Sequence, residues 1–241
     1  MIMNKISDRI YYLPCSSDTD RPNLGYIKGD RYSLMVDAGN SASHAALYQH
    51  CIDELGLPTP DYVAITHWHW DHTFAMHAVS GITIAGRLTN EQLSRVMTWE
   101  WTDEAMQSRL RSREDIEFCD IHIRLEYPDR NMISVKTADI QFEHRLTLEL
   151  GSITAELIHI GGPHSEDSVV IYIPEEKVLF LGDADGGDFY HKEGQYDKEK
   201  LYTFLQFLKN LDFSISIDGH DTPATKEQLL TYMMEEYANL S

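Results

Sequence analysis

Three histidines and one aspartate crowd into the segment His67-Trp68-His69-Trp70-Asp71-His72. Neutral imidazole and carboxylate are the ligand types that hold borderline divalent metals. Along an extended segment, residues i and i+2 share a face. His67 and His69 can therefore grip one metal, while Asp71 and His72 face a second. A tetrahedral catalytic site needs a third protein ligand and an open position. His164 offers one, on a tight loop after Gly161-Gly162-Pro163. Asp183 ends the apolar run Val178-Leu179-Phe180-Leu181-Gly182, and His220 follows Ile215-Ser216-Ile217-Asp218-Gly219. Each candidate ligand follows a strand-like run, where open α/β layers place their sites.

In this ordered series the chain resembles the metallo-β-lactamase-fold superfamily of metallohydrolases, over residues of about 26–220. Carried over residue by residue, the resemblance implies a first metal on His67, His69 and His164 and a second on Asp71, His72 and His220. Asp183 matches the carboxylate that bridges them. Two divalent ions are implied, roughly 3.5–4 Å apart as in other two-metal hydrolases. Zinc is the default for such a donor set, and iron or manganese is compatible with it. The implied fold is a four-layer αββα sandwich of the α/β class, two mixed β-sheets flanked by helices. The implied reaction is hydrolysis by a water whose pKa the metals lower. Asp71 then also serves as the catalytic hydrogen-bond acceptor of that water.

Departures from particular branches narrow the reading. His69 stands where the flavodiiron oxygen reductases carry glutamate. Asp183 stands where one class of true β-lactamases carries cysteine. Gly186 stands where the quorum-signal lactonases carry tyrosine, which weakens that assignment. Glyoxalase II-like thioesterases share the same ligands but carry a C-terminal glutathione-binding region, which is expected to be missing here or replaced by the insert. The expectation is a hydrolase acting on an ester, thioester, lactone or amide of a small molecule. The alternatives are a mononuclear iron oxidoreductase similar to the persulfide dioxygenases and a phosphodiesterase of the same superfamily.

The elements that must position these residues follow from periodicity. Strand-like runs cover about 6–13, 23–29, 32–37, 61–66 and 82–85, then 133–136, 141–150, 153–160, 167–173, 178–182 and 213–218. Helices are expected at 41–55, with Ser41 as N-cap, at 71–79, and at about 197–210 and 224–239. His44 and His50 read as solvated on the first of these. Ser33–Gly39 and Lys177–Ala184 are similar, each an apolar strand ending in aspartate near a glycine. Asp37 is then the counterpart of Asp183, bracing the site without binding metal.

One domain over 1–241 is expected, with a mainly helical insert at about 86–132. Thr89 and Gln92 have the spacing of a capping box, and helices are expected from about 90 to 114, then an irregular stretch. The four tryptophans lie in the histidine motif, Trp68 and Trp70, or in the insert, Trp99 and Trp101. Trp68, Trp99 and Trp101 are candidate substrate contacts, with Tyr190 and His191 on the loop beyond Asp183. The insert is expected to cover the pocket, Trp99 or Trp101 foremost.

The formal charge is −19. Such a surface repels phosphate backbones, whose binding needs Lys and Arg to release counterions. This counts against nucleic acid as a partner and leaves a small molecule. Three cysteines with no paired spacing argue against a disulfide framework. No stretch is apolar enough for a signal peptide or membrane span, so a cytoplasmic protein is expected, open to homo-oligomer formation.

Overall fold

The computed structural model of the chain describes residues 2–240. Two β-sheets face one another. The first runs in chain order through β1 (Asn4–Lys5), β2 (Ile10–Leu13), β3 (Leu24–Lys28), β4 (Ser33–Val36), β5 (Tyr62–Ala64), β6 (Ile82–Gly86) and β7 (Ile140–Phe142). The second comprises β8 (Arg145–Glu149), β9 (Thr154–His159), β10 (Val169–Ile173), β11 (Val178–Gly182), β12 (Ile215–Asp218) and β13 (Ala224–Thr225), again in sequential order.

The sheets repeat one plan. Antiparallel pairing carries β1 to β4 and then turns parallel at β4–β5, with Val36 opposite Ala64. Antiparallel pairing likewise carries β8 to β11 and turns parallel at β11–β12, with Phe180 opposite Ile217. Asp37 and Asp183 follow the strands at which each sheet changes sense. The chain takes a left-handed backbone at both places, φ 59° at Asp37 and 54° at Gly182. At the second, Gly182 is required, because any Cβ there would strike the Thr66 side chain.

Ile27, Leu34, Ile84, Leu157, Val169, Ile171 and Phe180 fill the space between the sheets. Burying such side chains stabilises the fold by about 1.5–3 kcal/mol each. The outer face of the first sheet packs on α1 (Ala42–Glu54) through Ala45, Tyr48 and Ile52. The outer face of the second packs on α7 (Lys198–Asn210) and α8 (Lys226–Asn239) through Leu201, Phe204, Leu208, Leu229 and Met233. The layer order is therefore αββα, as expected.

Ser41 caps α1, accepting from His44 N, and Thr225 closes a full capping box with Gln228 on α8. His44 corrects the solvated reading. It is fully buried, with its ring against Gly39. The expected 71–79 helix shrinks to α2 (Trp70–Thr73), because Ala75 N turns to bond Gly39 O in the neighbouring loop. The expected 141–150 strand breaks at the polar pair Glu143-His144, where the chain crosses from β7 to β8 and hence between sheets. Residues 133–136 form no strand.

The 86–132 region holds three helices, α3 (Arg87–Val96), α4 (Asp103–Ser112) and α5 (Glu117–Glu126). Thr89 is no cap: α3 already begins at Arg87, with Gly86 before it, and Thr89 is buried within its first turn. The stretch expected to be irregular contains α5. Its signal was present, since Ile116, Cys119, Ile123 and Tyr127 recur at helical spacing and Pro128 ends the run.

Candidate metal centre

Strand β5 delivers the histidine motif. Beyond Ala64 the chain stays extended, Ile65 N bonding Ile84 O and Val169 N bonding Thr66 O, so both sheets grip the segment. Thr66 donates from N and Oγ1 to Asp37, at 2.8–3.0 Å. His67 follows, and the short helix α2 then turns Asp71 and His72 to the same side. Strand β11 delivers Asp183, the β9–β10 loop His164, and the end of β12 His220.

The structure gathers these residues into two groups with one member in common. In the first, ligand atoms of His67, His69, His164 and Asp183 all lie within 4.8 Å of one another, and the same holds for Asp71, His72, Asp183 and His220 in the second. His69 Nδ1 lies 3.0 Å from His164 Nε2. Asp183 Oδ2 lies 3.8 Å from His67 Nε2, 3.6 Å from His164 Nε2 and 3.5 Å from His220 Nε2. Asp71 Oδ2 lies 3.0 Å from His72 Nε2 and 3.1 Å from His220 Nε2. Ligands held about 2.0–2.2 Å from a tetrahedral ion are separated by roughly 3.3–3.6 Å. The observed spacings, 3.0–3.8 Å, bracket that edge length.

The donor atoms pass a second test. His67 Nε2, His72 Nε2 and Asp183 Oδ1 are buried and make no hydrogen bond, although His72 Nε2 stands near two carboxylates. Unsatisfied buried polar atoms are costly, and a bound cation would satisfy all three. The outward nitrogens, by contrast, are engaged. His164 Nδ1 donates to Gly187 O at 2.9 Å, and His72 Nδ1 donates to Asp37 Oδ2 at 2.8 Å. Such partners fix the tautomer that turns a lone pair inward. Gly219 leaves the space clear, since a Cβ there would meet Asp183 Oδ1 and sit 3.0 Å from His72 Cε1.

Electrostatics divides the groups. Burial, with the adjoining imidazoles, pushes His67 and His69 well below the usual histidine range. They stay neutral, as metal binding requires. Burial also opposes charge on His72 and His220, but Asp71 and Asp183 override it and push both well above that range. Burial alone would raise the Asp71 and Asp183 carboxyls, yet His72 and His220 hold both well below the carboxylate range. The second group is thus arranged to hold positive charge between carboxylates. At its rim Asp20 lies 3.6 Å from His220 Nδ1. Burial, reinforced by Asp71, pushes Asp20 up to about 7.

A cavity of about 850 Å³ opens onto both groups, reaching His69, Asp71, His164, Asp183 and His220. Its wall is α5 and the start of α6 (Phe189–Lys192). Tyr190 lies there, its ring 4.9 Å from both His69 and Trp68 and its hydroxyl directed at Asp115 and Cys119. Trp68 is half-buried behind His69 and faces a separate cleft. His191 points outward against Asp188, lining that same cleft.

Trp99 and Trp101 correct the expected lid. They pack with Val96 and Met106 of the insert and with Phe74 beyond α2, stacked on the Arg109 guanidinium at 4.5 and 4.9 Å, and neither lines the metal-facing cavity. The insert does cover the site, but through α5: Ile116, Phe118, Cys119 and His122. Both tryptophans lie on the loop between α3 and α4, away from the cavity. Phe189 and the Cys15–Ser17 loop also line the cavity and carried no separable signal in sequence.

Solved structures share this architecture. A metallo-beta-lactamase from Pontibacter korlensis aligns with 98% of this chain and 98% of its own, at TM-score 0.69 and 18% identity. A metallo-beta-lactamase family protein from Thermus thermophilus aligns at TM-score 0.66 and 18% identity, over 98% of this chain and 80% of its own. A stereoselective inverting sec-alkylsulfatase from Pseudomonas sp. aligns at TM-score 0.72 and 16% identity over 99% of this chain, which spans only 42% of the sulfatase. At such identities the likeness is one of fold. No curated protein matches the chain in sequence. The model of the metallo-beta-lactamase superfamily matches residues 18–221, and this chain belongs to that superfamily.

Proposed function

We propose that the protein is a metal-dependent hydrolase of small-molecule carbonyl compounds, an ester, thioester, lactone or amide, with two divalent ions, zinc by default, at the two ligand groups. The observation that carries this reading is the sharing of Asp183 between two complete ligand groups at the floor of one cavity. His67, His69, His164 and Asp183 would hold one ion; Asp71, His72, His220 and Asp183 the other. Bound there, the ions supply Lewis acidity and a water of lowered pKa.

The chain's own residues supply the rest. Asp71 is ionised, and its carboxylate can accept a hydrogen bond from the attacking water and orient it. Asp37 and the Gly187 carbonyl keep His72 and His164 in the required tautomers. With a substrate seated against it, the α5–α6 wall would exclude bulk water and strengthen the polar interactions inside. A mononuclear iron centre would have no use for the second group, whose completeness favours two ions. The −19 charge disfavours a phosphodiester. Among the described residues no helix is long and apolar enough to cross a membrane, and Cys15 and Cys119 carry free thiols, in keeping with the proposed cytoplasmic location.

The test is a panel of chromogenic esters, thioesters, lactones and phosphodiesters, offered to metal-replete protein. Turnover of carbonyl substrates, lost on chelation and restored by metal, is expected. Turnover confined to phosphodiesters, or oxygen uptake on a persulfide without hydrolysis, would overturn the reading.

A further inference from the structure

The geometry points to a substrate whose recognised portion is uncharged and apolar, an acyl chain or a ring, seated against α5 and Phe189. This rests on the hydrolase reading above and narrows it. The wall beside the ligand groups is built from Ile116, Phe118, Cys119, Phe189 and Tyr190. Phe118 and Phe189 keep half of their surface exposed, 52% and 53%, the state of side chains awaiting a partner rather than core residues. The cavity, about 850 Å³, lies within the range of pockets that enclose small organic ligands.

Charge decides what the pocket rejects. Among the described residues no Lys or Arg lines it, and Asp20 stands at its edge. The adjoining cleft on the β12 side presents Asp185, Asp218 and Asp221, again with no described Lys or Arg. Cations occur in the third cleft, beyond Trp68, and most are already neutralised there: Lys192 by Asp197, Lys200 by Glu166 and Arg95 by Glu114. A substrate carboxylate or phosphate buried on the α5 side would meet only His122 and the Ser16 and Ser17 hydroxyls, with no Lys or Arg to neutralise it. An apolar chain would gain about 0.8 kcal/mol per CH₂, near fourfold in affinity.

The wall is also preformed. Glu126 at the end of α5 bonds Arg21 at 2.7 Å and Ser43 at 3.0 Å and also accepts from Ser41, the cap of α1. Tyr127 donates to Asn40 O at 2.8 Å. The helix is thus anchored to the same loop that carries Gly39 and Asn40, beside the metal-facing residues.

The experiment compares p-nitrophenyl acetate, butyrate and hexanoate with the glutaryl ester, whose acyl group ends in a carboxylate. Metal-loaded protein is used throughout. KM is expected to fall roughly fifteenfold from butyrate to hexanoate, and the glutaryl ester to be at least tenfold poorer than hexanoate in kcat/KM. Phe118→Ala should compress the chain-length dependence to under threefold, and Phe118→Leu should restore most of it. Equal use of the glutaryl ester, or a flat chain-length series, overturns the inference while leaving the hydrolase reading intact. If none of these esters is cleaved, the hydrolase reading rests on the thioesters and lactones of the wider panel. Calorimetry with hexanamide against glutaramate then still decides this one: tighter hexanamide binding supports it, and equal or reversed affinity ends it.

Discussion

Asp37 braces the site at the residue scale. One carboxylate accepts from Thr66 N, Thr66 Oγ1 and His72 Nδ1, and so ties the histidine strand to a second-group ligand. Asp37→Asn keeps the volume but must turn an N–H₂ toward one of these donors. The second metal should then bind roughly 10–100-fold more weakly, read as a lower occupancy after dialysis against a buffered chelator. Unchanged occupancy would show that Asp37 braces the fold alone. Asp71→Asn should leave circular dichroism unaltered and lower kcat by roughly 10²-fold or more; near wild-type turnover would remove Asp71 from the mechanism. The ligand candidates were legible because metal chemistry restricts residue type and the motif is local. Asp37 was legible through the likeness of its strand to that of Asp183. Trp99 and Trp101 misled, because an aromatic ring has the same signature in a pocket wall as in a small core, here completed by Arg109.

At the scale of elements, the insert shows what periodicity misses. The α3 and α4 helices were expected in outline. The helical stripe of α5 is masked in sequence because its exposed face is itself apolar, with Phe118, Ile121 and Leu125 outward. Strand boundaries failed where tertiary bonds intervene, as at Glu143-His144, where the chain changes sheets. The attachment of α5 gives a direct test. The Glu126 side chain is only 4% exposed and is held by Arg21, Ser41 and Ser43. Glu126→Ala strands a partly buried guanidinium and takes the acceptor from the Ser41 and Ser43 hydroxyls, and should lower stability by about 2–3 kcal/mol. Urea unfolding with an unchanged m-value would measure it. A loss below about 0.5 kcal/mol, the range of ordinary surface substitutions, would mean that the helix is held by its apolar contacts alone.

At the scale of the whole molecule, pH and metal act on the same loops. Burial, with the Arg21 charge nearby, pushes His44 down to about 3. An unfolded histidine titrates near 6.5. Between those values the unfolded chain carries a proton that the folded chain refuses. Stability present above pH 6.5 is therefore lost as pH falls through this window, by about 1 kcal/mol per unit from His44. His44→Leu should flatten that part of the pH dependence, seen as a wild-type-minus-variant difference that shrinks from pH 7 to pH 5. A difference independent of pH would mean that His44 titrates normally. The αββα layers were legible through the family resemblance of the ligand series, while the mixture of strand-like and helical runs indicated only α/β layers. The cavity was not, because it is assembled from the Cys15–Ser17 loop, α5 and α6, which lie far apart along the chain. The central claim, two metal sites sharing Asp183, is tested most directly by elemental analysis of metal-saturated protein after gel filtration, wild type beside Asp183→Ala. The account predicts two ions per wild-type chain and fewer than one in the variant. One ion or none in the wild type, or two retained without Asp183, would contradict it.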